Sequence, residues 1–262
     1  GLRSIPLAAM QNQTGAVIDR YSVNIIPSLG MLDRRQNELR NQTTLAIGAS
    51  QFEQFAPLPA VPHELSMIQQ QGFAAQTMLN PAFTLENTVQ QMQQVRPEIL
   101  HLATHANFQP GKPQNSFIQF WNQKLSINQL DQLQLRAADL ELLVLSACNT
   151  ASGNADAELG FTGMASLFGV RSALGTLWSI SDLGTYAFMS EFYAQLANTP
   201  SRADALRKTQ LAMQTGKVRV EQSQLITSNN RFSLPALLAR TPNTTFTHPY
   251  YWSGFTLVGN PW

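Results

Sequence analysis

Apolar positions along the chain fall into runs of strand length that alternate with stretches of helical period. Leu45 to Ala49 (LAIGA) reads as a buried strand. After the proline-punctuated residues 57–62, a helix is expected over His63 to Gln71, closed by Gly72. A short strand over Gln76 to Leu79 precedes a second helix, Thr84 to Val95, with Thr84 as its N-cap and Glu86 and Asn87 in its first turn. Glu98 to Thr104 is the next strand. A hairpin (Phe117 to Trp121, then Lys124 to Ser126) and a short helix at Ile127 to Leu133 follow.

The second half repeats the alternation. It has strands at Leu142 to Ser146 and Arg171 to Trp178, and helices at about 158–168, at Leu183 to Ala197 and at Ser201 to Gln214. Ser253 to Val258 closes the chain as a strand. Near the start, Tyr21 to Ile26 (YSVNII) reads as a strand ended by Pro27, beside a hairpin at Ala16 to Ile18. Residues 216–245, rich in Gln, Ser, Asn and Thr, read as a long loop or partly disordered insertion. Strands alternating with helices predict an α/β domain whose mostly parallel sheet is covered on both faces.

Two of these strands end on a reactive side chain: EILHLATH at His105 and ELLVLSAC at Cys148, the chain's one cysteine. The carboxyl ends of neighbouring strands in an open parallel sheet are where loops present chemistry. A cysteine and a histidine delivered there form a candidate nucleophile and base. The ordinary place of a lone cysteine is in a core, as a small apolar residue. Cys148, however, follows a full strand and precedes Thr-Ala-Ser-Gly, where a side chain is reachable. The chemistry also needs backbone N–H donors facing a tetrahedral oxyanion, and those of Cys148 and Ala106 are the natural pair. His101 and His105 as a metal pair require a helix to converge, and Leu100 to Thr104 reads as extended with no third ligand nearby, so no metal is expected. His63 in a surface helix and His248 in a proline-flanked loop do not compete.

Composition narrows the partners. The chain has 262 residues, enough for one large domain, and 44 % of them are apolar. Only 13 % are charged, and the net charge of +1 gives no long-range pull on nucleic acid or an anionic membrane. One cysteine excludes an internal disulfide and fits a reducing cytoplasm. No apolar stretch approaches a bilayer span. The chain opens on Gly1 within a segment that already reads as folded, so one domain of a longer polypeptide is expected. Gly160-Phe161-Thr162-Gly163 lacks both the dinucleotide spacing and a P-loop lysine, which argues against a nucleotide domain. No cofactor is expected.

The ordered set HLATHA, LSACNTASG, SALGTLW, SDLGT, FMSEFYAQL, ALRKTQLAM and HPYYWSGFTLVGNPW, with LRSIPLAA and YSVNIIPSL at the start, resembles the CHAT domain. This is a caspase-like peptidase module of bacteria, usually found C-terminal to tetratricopeptide repeats. The resemblance covers nearly the whole chain. It implies a three-layer α/β/α sandwich of the caspase type, related to separases and gingipains, with no cofactor. By the same resemblance His105 is the base and acid and Cys148 the nucleophile, acting on a protein or peptide substrate, with repeats preceding the domain in the full-length protein. The expected organisation is one domain over 1–262, with opening strands in 1–40, a catalytic core in 45–215, the insertion at 216–245 and a closing strand in 246–262. Related enzymes commonly carry glycine after the histidine, where this chain has Ala106.

Similarity to separase around Leu177 to Asp182 implies that this segment, with Ser179 and Asp182, lines the S1 pocket, Asp182 pairing with a basic P1 residue and Trp178 serving as pocket wall or as core. Ser181 or Asp182 capping the following helix is the plainer alternative. Asp156 and Glu158 are either further acidic pocket residues or ordinary charges at a helix N-terminus. The fold alone is also compatible with a catalytically silent interaction module.

Overall fold

The computed structural model describes residues 5–13, 15–26, 32, 42–107, 116–135, 140–149 and 169–262, with the backbone alone for 147–149. A two-stranded hairpin (β1, Gln11–Asn12; β2, Gly15–Ala16) opens the chain. The central sheet holds β3 (Thr43–Gly48), β4 (Ala74–Leu79), β5 (Ile99–Asn107), β6 (Phe117–Gln119), β7 (Lys124–Ser126), β8 (Leu142–Asn149), β9 (Ser172–Thr176) and, near the C-terminus, β14 (Phe255–Gly259). The order β14-β9-β8-β5-β3-β4 is parallel from β9 to β4, with antiparallel β14 on one edge. The β6–β7 hairpin pairs with the last two residues of β5.

Strict alternation along the buried strands sends side chains to two cores. Ala46, Ile99, Ala103, Val144 and Leu174 face α1 (Val61–Gln70) and the helices α3 (Asp182–Leu196) and α4 (Arg202–Gln214). Leu45, Ile47, Leu102, Leu143 and Leu145 face α2 (Leu85–Val95) and the 3-10 turn Ile127–Leu133. Apolar residues on both faces of each strand are what a sheet covered by helices on two sides requires, and the expected three layers are present. The helix α3 is buried without a break from Gly184 to Ala194. At the amino ends of the strands, buried Arg202 reaches Glu141 Oε2 at 2.6 Å and Ser172 Oγ at 3.1 Å, fixing β8 to β9 at the end remote from His105.

Two expectations change. The polar stretch read as a loop at 216–245 instead holds β10 (Arg219–Glu221), β11 (Gln224–Ile226), β12 (Arg231–Ser233) and β13 (Thr244–Thr245), which form a separate antiparallel sheet. Val220 and Leu225 pair across it and are buried, supplying the apolar anchor that the polar composition conceals. Tyr21 to Ile26 is not a continuous strand. Ile25 alone bridges to Val258, and the preceding hairpin uses Gln11–Asn12 and Gly15–Ala16 rather than Ala16 to Ile18. The expected helix at about 158–168 lies outside the described residues.

Candidate active site

The site forms where β5 outruns its neighbour β3. The last β3–β5 pair is Gly48↔Ala103, and the strands approach so closely there that a Cβ on Gly48 would lie 2.1 Å from the Ala103 carbonyl oxygen. Beyond it, β5 and β8 change register: Ala103 pairs with Ser146, but the next pair is Ala106↔Cys148. Two residues of β5, Thr104 and His105, therefore oppose the single Ala147. This is a β-bulge, a device that re-aims side chains beside active sites. The Thr104 hydroxyl fastens the bulge by donating to the Gln119 carbonyl at 2.7 Å, on β6.

His105 is half-buried, and its partners come from the loop after β3. Ala56 precedes Pro57, which biases it towards extended backbone, and its carbonyl oxygen lies 2.8 Å from His105 Nε2. A carbonyl only accepts, so Nε2 carries the proton and Nδ1 is the free lone pair. Phe52 meets the ring edge-on at 4.6 Å and Phe55 stacks on it at 5.1 Å between centroids. Burial lowers the His105 pKa below the ordinary imidazole range, opposed by the bond to Ala56. The ring is thus held neutral at neutral pH, in one tautomer, as a proton acceptor. The backbone of Cys148 is the register partner of the residue next to it. Ala106 does not adopt a positive φ, so the absence of glycine there brings no backbone strain. Its ladder partners are Cys148 on one side and Ile118 on the other.

On the far side of β8, the segment after β9 carries the expected pocket residues. Trp178 Nε1 donates to the Tyr250 carbonyl at 2.9 Å, and the Tyr250 hydroxyl donates to the Ser179 carbonyl at 2.5 Å, so residues 178–179 are tied to the C-terminal segment. The indole lies on Gly254, where a Cβ would come within 2.7 Å of it. Ser181 is the N-cap of α3, accepting from the Gly184 N–H at 3.2 Å. Asp182 Oδ2 accepts the N–H of Ala60 at 2.7 Å, joining the starts of α1 and α3. Burial raises the Asp182 pKa to about 7. The Ala60 N–H opposes the rise and the charge of Glu64 adds to it. Asp156 and Glu158 lie outside the described residues.

Beneath these strands is a polar cluster that the sequence reading missed. Glu64 on α1 is 1 % exposed. Its Oε1 accepts from Ser146 Oγ at 2.5 Å and lies 2.9 Å from His101 Nε2, a close approach off the hydrogen-bonding line. His101 Nδ1 is 3.0 Å from the Tyr193 hydroxyl on α3. Burial and then Glu64 push the Tyr193 pKa well up, so the phenol keeps its proton. Ser146 stands two residues before Cys148, and His101 four before His105. The available signal was helical periodicity: Glu64 lies on the stripe of Val61, Leu65 and Ile68, the buried face of α1.

One groove of about 560 Å³ adjoins the site, between the 51–55 loop and the β6–β7 hairpin, with Phe52, Phe55, Trp121 and Lys124 in its walls. No cluster of three or more metal-ligating side chains, and no helix long and apolar enough to cross a membrane, occurs among the described residues. No curated protein matches the chain. A family model does, over residues 1–260, and its description is the CHAT domain. With nearly every residue matched and a histidine and a cysteine brought to adjacent strand ends of a mostly parallel sheet, the chain belongs to the CHAT-domain family, a caspase-like peptidase family.

Proposed function

We propose that this domain is a cysteine endopeptidase in which Cys148 is the nucleophile and His105 the general base and acid. The observation that carries the reading is the bulge at 104–105. It sets a neutral, tautomer-fixed imidazole one residue from the register partner of Cys148. In the first step His105 Nδ1 takes the thiol proton and sulfur attacks the scissile carbonyl carbon, whose oxygen becomes the oxyanion. The N–H groups of Cys148 and Ala106 are the proposed donors to it. Collapse breaks the C–N bond, and the imidazolium returns its proton to the departing amine, leaving a thioester. Water, deprotonated by the same nitrogen, then hydrolyses the thioester and regenerates the thiol. A thiol nucleophile works in its reduced form, which suits the cytoplasm.

A basic P1 residue fits an acyl-side pocket built from Trp178, Ser179 and Asp182, with Asp156 and Glu158 as further acidic candidates. Asp182 already serves the Ala60 N–H and is half-protonated near neutrality, so its pull on arginine is expected to grow as pH rises above 7. The repeats expected upstream would present the protein substrate. One observation favours a catalytically silent interaction module instead: Ala106 is paired with a strand on each side, and an N–H engaged in either ladder is withheld from an oxyanion.

The test is labelling with a P1-Arg acyloxymethylketone probe together with turnover of a fluorogenic P1 library. Labelling at Cys148, with turnover lost in Cys148→Ala and His105→Ala, is the expected result. Cleavage only after other P1 residues removes Asp182 from the pocket and keeps the peptidase. Absence of labelling and turnover, in the domain and in the full-length protein alike, overturns the enzyme reading.

A further inference from the structure

The strand order separates the two sides of the site. From β9 to β8, β5 and then β6–β7, the pocket segment after β9 and the groove beside β7 lie on opposite sides of the Cys148 and His105 strand ends. In the proposed hydrolysis the imidazole must reach the leaving nitrogen, so the leaving half of the substrate passes over His105 and away from β8. What lies there is the groove. Its wall is continuous with the histidine, since Phe52 and Phe55 both pack on the His105 ring and line the cavity. Resting on the hydrolase reading, we infer that this groove binds the leaving-group side of the substrate peptide and prefers an acidic residue within its first three positions.

The charge preference comes from Lys124. Its ammonium sits over two rings, 4.6 Å from the Phe117 centroid and 5.3 Å from that of Phe55. Phe55 in turn stacks on His105, so the cation stands one ring away from the catalytic histidine. No carboxylate among the described residues forms a salt bridge with Lys124, which is exposed on β7. Glu53 also lines the groove, but no ring contact carries it towards His105. The amides of Gln54 and Gln123 supply donors and acceptors suited to peptide groups, and Trp121 supplies an apolar wall.

The experiment uses three pools of free-amino hexapeptides, with Asp/Glu, Lys/Arg or Ser in the first three positions, against the full chain. Binding is read by anisotropy competition and mapped by hydrogen exchange. The acidic pool is expected to bind best and to protect residues 51–55 and 117–124. Lys124→Ala should weaken it about two- to fivefold, the scale of an exposed ion pair, and Lys124→Glu should turn the preference towards the basic pool. Equal binding of the pools in wild type and Lys124→Glu, or protection elsewhere or nowhere, overturns the inference. Hydrolysis of an acyl-side coumarin amide, which has no leaving-side peptide, runs in parallel. Its loss with peptide binding intact sinks the hydrolase reading alone, and its persistence with no peptide preference sinks the groove alone.

Discussion

His101 and His105 stand four residues apart on one strand and live in opposite conditions. His101 lies inside the sheet, with Ala46 of β3 on one side and Val144 of β8 on the other. It is fully buried, one nitrogen at Tyr193 and the other against Glu64. His105 lies past the end of β3, where the bulge turns it towards the 51–55 loop, and there one backbone carbonyl and two phenyl rings hold it. The residue type is the same, and the end of the neighbouring strand decides its role. Where the sheet continues on both sides a histidine becomes part of the frame; where one neighbour stops, it faces loops and keeps a free lone pair.

The sharpest break in this comparison is to delete each histidine's function separately. His105→Ala is expected to reduce kcat/KM by at least about 10²–10⁴, the range that a positioned acid–base group contributes, while costing about 1 kcal/mol or less in urea unfolding. In wild type the acid limb of the kcat/KM profile should fall below pH 6.5, because the lowered His105 pKa keeps the base neutral to a lower pH. A limb at or above 6.5 would mean that a different group sets it. On the framework side, Glu64→Ala strips the acceptor from Ser146 and the neighbour from His101. The expected cost is about 1.5–3 kcal/mol, the scale of a hydrogen bond to a charged group. A shift in urea midpoint worth less than 1 kcal/mol would show that the cluster is not part of the frame.

How much of this was legible follows the same division. The candidate pair stood out because each member ends an apolar run of strand length, and strand ends are visible in period and composition. The bulge was not, since Ala103-Thr104-His105-Ala106 carries no glycine and nothing in it marks an extra residue; the register with β8 creates it. Glu64 was hidden for another reason. A charged residue beside His63 reads as a solvent face, although its stripe of Val61, Leu65 and Ile68 pointed inwards. The small sheet over 219–245 was missed because strands of two or three residues are too short for an alternation to register, and their pairing is set by distant partners such as Arg219↔Thr245.

Asp182 allows a test with a less obvious sign. It sits within reach of the Glu64 charge, and its folded pKa of about 7 exceeds the ordinary aspartate value of 3.8. The folded state therefore binds more protons than the unfolded one between those values, and stability falls as pH rises through that window. Asp182→Asn keeps an oxygen to accept from the Ala60 N–H but removes the buried charge. The variant should be roughly 1–3 kcal/mol more stable than wild type at pH 8, allowing for partial solvation, and close to it at pH 4. Urea unfolding at the two pH values checks this; a variant less stable at pH 8 would mean that the carboxylate is stabilised by a partner stronger than Ala60.

Tyr193→Phe is the finest separation of the two histidines. The phenol hydrogen-bonds with His101 Nδ1, and its ring packs edge-on against Phe73 at 5.0 Å, a contact that phenylalanine preserves. What is lost is one hydrogen bond in a fully buried setting, leaving Nδ1 without its partner, for an expected cost of about 1–2 kcal/mol. Nothing in that change reaches the Ala56 carbonyl or the rings on His105, so kcat/KM and the position of its acid limb should stay as in wild type. Such an outcome would establish that the framework histidine and the proposed base are energetically separate despite sharing a strand. A displaced acid limb at unchanged fold would show that β5 transmits the loss along its backbone, so that the polar cluster around Glu64 sets the proton affinity of His105 as well as the packing beneath it.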